Sequence, residues 1–298
     1  MMQKNNRTYF SIILIFILGF ALSAVMADPE KAKEHFNSGL TAEQDGKTEE
    51  AALSYQAAIA EDPNFIDAYI NLGAIYFKQK DYQKALKMYR SAVEKDDKNA
   101  TAFSNLGNVE YKLKKYAEAE TNFKAAISIT PKDANLFKDL GKVYYAKRDY
   151  KELVKTLNKC HVLGGGSHLT HYMLGKGYQK TEKSDQAIKA FKKSVTLKKK
   201  NYNAQFAIGQ IYLSQQKYQS AAGAFNKALK ANPKKHRAAY NYAVAVESND
   251  PENYVKNISA WEKFIKIAKK NPRARKEMSS AEDHLKELKE AKRQADLQ

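Results

Sequence analysis

Residues 159–171 read KCHVLGGGSHLTH. Within this stretch Cys160, His161, His168 and His171 supply a thiol and three imidazoles, the donors that a soft metal ion takes. His168 and His171 are three apart, so on a helix they share one face. No paired-cysteine spacing accompanies them, and Cys160 is the one cysteine of the chain. A second reading is duller: the stretch is a join between two helical elements. Elsewhere the sequence has no glycine-rich phosphate loop, no nucleophile motif and no zinc-hydrolase histidine pair. Its scattered carboxylates suit helix surfaces. We therefore expect no enzyme and no cofactor.

Which reading of residues 159–171 holds depends on the frame around them. The chain has 298 residues, with 13 glycines and 6 prolines, and is rich in Ala, Leu and Lys, which favour helix. Six glycines, Gly39, Gly73, Gly107, Gly141, Gly175 and Gly209, recur every 34 residues. Twelve residues after each comes Ala51, Ala85, Ala119, Leu153, Ala187 or Ala221. Four further on stands a bulky residue: Tyr55, Tyr89, Phe123, Leu157, Phe191 or Phe225. Three beyond that is a small one: Ala58, Ala92, Ala126, Cys160, Ser194 or Ala228. Pro63, Pro131 and Pro233 then close their units. Spacings of three and four are helical, and each unit has room for two helices of about four turns. The glycine lets the first helix press against its partner. Asp81 and Asp149 suit the start of second helices. One pair cannot bury its apolar face alone, whereas stacked pairs can.

This unit resembles the tetratricopeptide repeat in its length and its Leu-Gly, Tyr, Ala, Phe, Ala, Pro pattern. The resemblance implies an all-α, right-handed superhelical solenoid of helix-turn-helix units at 32–65, 66–99, 100–133, 134–167, 168–201 and 202–235. An irregular seventh repeat is expected at 236–276, with Tyr242-Ala243 in place of Leu-Gly and Ala260, Phe264 and Pro272 in shifted phase. A charged capping helix is expected over 277–298. In this frame Cys160 takes the small-residue position of the fourth unit and reads as a buried small hydrophobe. His161 ends that helix, three glycines replace the closing proline, and His168 and His171 open the fifth unit. The seam is favoured over the metal site. We also expect Gly164, Gly165 and Gly166 to loosen the join.

The resemblance further implies a concave groove, lined by first helices, that takes peptide or protein segments. Carried onto this sequence, its groove positions give Phe77, Asn108, Tyr111, Lys112, Lys138, Lys142, Tyr145, Tyr172, Lys176, Lys180 and Phe206: aromatics with lysines interleaved. Aromatics suit recognition because they offer large rigid contact area. Lys138 and Lys142, like Lys176 and Lys180, are four apart, where like charges repel. That reads either as a solvated lysine-rich surface or as a site for an acidic segment. Some family members clamp a C-terminal carboxylate with Lys and Asn. Asn105 and Asn108 suggest this, but Ile70 and Ala74 stand where the preceding unit would need Lys and Asn.

At the N-terminus, Lys4 and Arg7 precede an apolar run from Phe10 to Leu22, and Val25-Met26-Ala27 offers a small-residue cleavage site. This reads as a secretory signal peptide over 1–27, with an uncleaved anchor as the alternative. No cysteine follows the apolar run to carry a lipid. The net charge of +18 lies downstream, because residues 134–298 hold 34 basic and 15 acidic residues. Such asymmetry points to an acidic partner. The expected function is an exported, periplasmic scaffold that binds envelope proteins, with at most peripheral membrane contact. The alternative is a binder of anionic polymers or lipid head groups. Nucleic acid is not expected as a partner, since an exported chain seldom meets it. The sequence carries no sign of oligomeric state.

Overall fold

The computed structural model describes residues 27–298. The expected signal peptide, apart from Ala27, lies outside the described residues. These residues fold into fifteen α-helices, joined by short turns. In order, α1 is Pro29–Gln44, α2 Thr48–Glu61, α3 Ile66–Lys78, α4 Tyr82–Lys95, α5 Ala100–Lys112, α6 Tyr116–Ile129, α7 Ala134–Lys147 and α8 Tyr150–Val162. Then come α9 His168–Lys180, α10 Ser184–Leu197, α11 Tyr202–Ser214, α12 Tyr218–Ala231, α13 His236–Asn249 and α14 Tyr254–Ala268. A 3₁₀ turn, Pro272–Ala274, leads into the 21-residue α15, Arg275–Ala295. No helix among the described residues is long and apolar enough to cross a membrane.

The helices pack as consecutive pairs within two units, residues up to 131 and residues 132–298. In each of the six regular pairs, the glycine of the first helix faces the bulky residue sixteen positions later. A Cβ added at Gly73 would stand 2.7 Å from the Tyr89 ring, and one at Gly209 2.6 Å from the Phe225 ring. Tyr55, Leu157, Phe191 and Phe225 are fully buried. So are Ala58, Ala92, Ala126, Cys160, Ser194 and Ala228 of the small position. Where that position is polar, its side chain donates to the carbonyl of the first residue of its own pair. Cys160 Sγ reaches Ala134 O at 3.4 Å, and Ser194 Oγ reaches His168 O at 2.5 Å.

The turn inside each regular pair holds one residue in the left-handed region, again every 34 residues. These are Gly46, Lys80, Lys114, Arg148, Glu182 and Gln216, with φ between 57° and 74°. Only the first is a glycine, so no residue type marks the other five. Side chains cap many helix starts. Asp81 accepts from Lys84 N, Asp149 from Glu152 N, Asn99 from Ala102 N and Asn201 from Ala204 N. At α9, Ser167 and Thr170 form a reciprocal capping box.

In the second unit, the irregular pair α13–α14 receives α15 on its far side. Ala281 and Leu288 are buried there in a cluster with Trp261, Phe264 and Ile265. Glu247 of α13 holds this corner: Trp261 Nε1 donates to it at 2.7 Å and His284 Nε2 lies 2.9 Å away. Asn257, fully buried, donates to the carbonyls of Asp250 and Pro251, both at 3.0 Å, and pins the longer turn between α13 and α14.

Candidate functional site

The expected site residues are carried by first helices. In the unit up to residue 131, Phe77 ends α3, and Asn108, Tyr111 and Lys112 lie on α5. Phe77 is partly buried against the cluster that holds Leu86, Tyr89 and Leu106 and meets Tyr82 edge-on, with centroids 5.5 Å apart. Tyr111 tilts against Tyr116 at 5.7 Å. Both rings are partly buried. Lys112 is exposed and Asn108 is half-buried.

In the unit from residue 132, Lys138, Lys142 and Tyr145 lie on α7, while Tyr172, Lys176 and Lys180 lie on α9, and these two helices touch. Local partners already hold two of the lysines. Lys138 Nζ donates to Asn135 Oδ1 at 2.6 Å, and Lys142 Nζ pairs with Asp139 at 2.7 Å. The repulsion expected between Lys138 and Lys142 is thus offset on the helix itself. Lys176 differs. Its Nζ donates to Gln179 Oε1 at 2.8 Å, a neutral acceptor. Burial, and then Lys180, push its pKa below the ordinary lysine value. The hydroxyls of Tyr172 and Tyr145 have their pKa raised, both chiefly by burial, and Tyr172 also feels Tyr145 across the two helices. Tyr145, Tyr172 and Lys176 therefore form one half-buried patch with an under-compensated cation. Phe206 on α11 belongs to another aromatic group, stacked on Tyr202 at 5.6 Å and tilted against Phe225 at 5.5 Å. Arg237 lies over its ring at 5.9 Å.

At the join between α8 and α9, the four donors of residues 159–171 do not converge on one point. The Cys160 thiol donates to Ala134 O and to Gly165 O at 3.3 Å. Burial raises its pKa, so the sulfur is a poor thiolate ligand. His161 and His171 pack ring on ring with centroids 4.0 Å apart, and His161 Nε2 lies 3.0 Å from Thr170 Oγ1. Among the described residues no three His, Cys, Asp or Glu side chains gather where they could hold a metal ion. The glycines bind the join closely: Gly164 takes φ 85° and Gly165 N donates back to Cys160 O at 2.9 Å. A Cβ on Gly165 would lie 2.6 Å from the Cys160 sulfur. The triple glycine permits a close approach, where the sequence suggested looseness.

Two features were not foreseen from sequence. One is the contact of the His161 and His171 rings, tilted by 38° to one another, whose residues are ten apart on different helices. The other is Glu110 of α5, a buried carboxyl whose pKa burial raises while Asn122 donates to it at 2.6 Å. Nothing in their local sequence marks either.

Models of the tetratricopeptide repeat match residues 64–132, 172–236 and 206–272, and a TPR repeat model matches 44–80. None of the curated proteins matches the chain in sequence. Several solved structures share the fold. YrrB, a TPR protein with an unusual peptide-binding site, is 22% identical, with 60% of this chain and 91% of that chain covered and a TM-score of 0.54. PilF of Pseudomonas aeruginosa is 20% identical, covering 72% and 95%, with a TM-score of 0.57. The C-terminal part of a TPR repeat-containing protein from Cytophaga hutchinsonii is 18% identical, covering 80% and 97%, with a TM-score of 0.65. These likenesses establish the fold and nothing about partners. The contact of a glycine with a bulky side chain sixteen residues on recurs in all six regular pairs and the repeat models align before and after the glycine-rich join, so this chain belongs to the tetratricopeptide repeat family.

Proposed function

We propose that the protein is an exported, periplasmic scaffold that receives protein or peptide segments on its first helices and supports assembly of an envelope protein complex. The observation that carries this reading is the patch of Tyr145, Tyr172 and Lys176, with Lys180 one turn further on. A half-buried ammonium whose charge is disfavoured by burial and by a second lysine gains most from an incoming carboxylate. Neighbouring tyrosines supply rigid contact area for the side chain beside that carboxylate. The patch thus favours an acidic protein segment. Lys4, Arg7 and the apolar run that follows support export. Tetratricopeptide proteins generally act by binding, and the patch holds no nucleophile–base pair, so the reading is non-enzymatic.

The test is a pull-down from envelope extract, comparing the protein with a Lys176→Glu, Lys180→Glu variant at low and moderate salt. A defined partner that survives moderate salt and is lost in the variant supports the scaffold. A second reading, adhesion to anionic polymers or lipid head groups, is favoured by the exposed run Lys198-Lys199-Lys200. A salt-labile mixture, bound equally by both forms, would replace the first reading with the second.

A further inference from the structure

We propose that α8, α9 and α10 build a second binding site, for an acidic peptide segment that carries an aromatic side chain. A cavity of about 640 Å³ opens between these helices, lined by His161 of α8, by His171, Leu174 and Tyr178 of α9, and by Lys189, Lys192 and Lys193 of α10. That volume lies within the range of ligand pockets.

The lining is two-natured. Leu174 is buried and forms an apolar floor beside the two packed imidazoles. The Tyr178 hydroxyl is tied to Asn158, with contacts of 3.1 and 3.3 Å, which fixes its ring. His161 is held in turn by Thr170 of the capping box. These preset rings and the floor suit an aromatic side chain. Around them stand three lysines, and none of the described residues lining the cavity is Asp or Glu. Their charge has no counter-ion there, so carboxylates beside the aromatic would complement it. A bare inorganic anion would leave the floor uncovered.

The site is separate from the patch of Tyr172, Lys176 and Lys180. At about 100° per residue, His171, Leu174 and Tyr178 lie on roughly the opposite side of α9 from those residues. Failure of either site in its own test leaves the other standing.

The histidines supply a signature. Burial, His161 and Lys193 hold the His171 pKa down to about 4, and burial also lowers that of His161. A bound carboxylate favours the imidazolium, so binding takes up a proton and tightens as pH falls. The charged or titratable groups lining the cavity are His161, His171, Tyr178, Lys189, Lys192 and Lys193; His161 and Lys193 oppose protonation of His171, and an incoming carboxylate offsets that repulsion.

The experiment follows the histidine imidazole resonances of the protein while blocked peptides are added at millimolar concentration. The probes are acetyl-Asp-Phe-Glu-amide, its neutral analogue acetyl-Asn-Phe-Gln-amide, and inorganic phosphate. Saturable shifts of His161 and His171 with the acidic peptide are expected. Two exposed charge pairs are worth together about 1 kcal/mol, so the neutral analogue should bind about fivefold more weakly. A Lys189→Gln, Lys193→Gln variant should lose the same factor, because both side chains are exposed and the fold does not need them. Affinity should rise modestly as pH falls from ~6 towards ~5, below which the peptide's own carboxylates protonate, and His171→Phe should reduce that rise while His161 still shifts. Absence of saturable shifts, equal binding of the neutral peptide, equal shifts from phosphate, or an unaffected lysine variant would each overturn the proposal.

Discussion

Gly209 and Gly223 lie on facing helices of one pair, and alanine at the two positions should act in opposite directions. A mid-helix glycine is less favourable than alanine by about 1 kcal/mol, a term common to both sites. At Gly223 of α12 an added Cβ meets nothing within 4 Å, so Gly223→Ala should stabilise by about that amount. At Gly209 of α11 the Cβ would meet three atoms of the Phe225 ring at 2.6, 2.7 and 2.9 Å. That ring is fully buried and is backed by Phe206, with centroids 5.5 Å apart, so it cannot swing aside. Overpacking of this kind costs about 1–3 kcal/mol. Gly209→Ala should therefore range from neutral to about 2 kcal/mol destabilising. Because the helix term cancels, the difference between the two variants isolates the steric term. Repeat arrays need not unfold in one step, so native-state hydrogen exchange of α11 and α12 is the assay, with urea unfolding alongside. If Gly209→Ala stabilises as much as Gly223→Ala, the glycine is not kept for close approach, and the account of the 34-residue period fails with it.

Gly46, whose φ is 74° and which has open space around it, should lose about 1–2 kcal/mol on change to alanine from backbone strain alone; the reciprocal Gln216→Gly change should raise the melting temperature. Glu247→Ala should leave Trp261 Nε1 without its acceptor at a buried site, costing about 1–3 kcal/mol and shifting the emission of the protein's single tryptophan to the red; unchanged emission would show that the corner of α13, α14 and α15 does not depend on this carboxylate. Cys160 bears on alkaline stability. Its pKa is raised in the fold, so its contribution is fully present below the unfolded value of about 8.5 and is lost as pH rises towards the folded one. Urea unfolding of Cys160→Ala above that pH should fall less steeply than that of the parent, and the native thiol should resist a disulfide reagent until the chain unfolds.

How far the sequence reached can be judged residue by residue. The small and bulky positions were legible because one physical requirement repeats six times. A helix pair needs a gap in one helix where a bulky side chain from the other enters, as at Gly73 and Tyr89 or Gly141 and Leu157. Periodicity turns that weak local signal into a strong one. Asp81 and Asp149 were readable for a similar reason, since an N-cap uses a side chain to accept its own helix's N–H groups. The left-handed turn residues were not. Lys80, Lys114, Arg148, Glu182 and Gln216 share a conformation but no side-chain chemistry, because the constraint falls on the backbone.

The candidate sites divide in the same manner. Sequence and the family resemblance nominated Lys138, Lys142, Lys176 and Lys180 as equivalent cations. Tertiary structure separated them, since Asp139 answers Lys142 within the helix whereas burial sets Lys176 apart. The sequence by itself determined the repeat, its helix pairs and its buried register, because each follows from contacts at fixed short separation. Only the tertiary structure decided the packing of His161 against His171, the pairing of Trp261 and His284 with Glu247, and the cavity between α8, α9 and α10. The physical reason is that these depend on which side chains meet across different helices. That meeting is set by how helices pack, which no local spacing records.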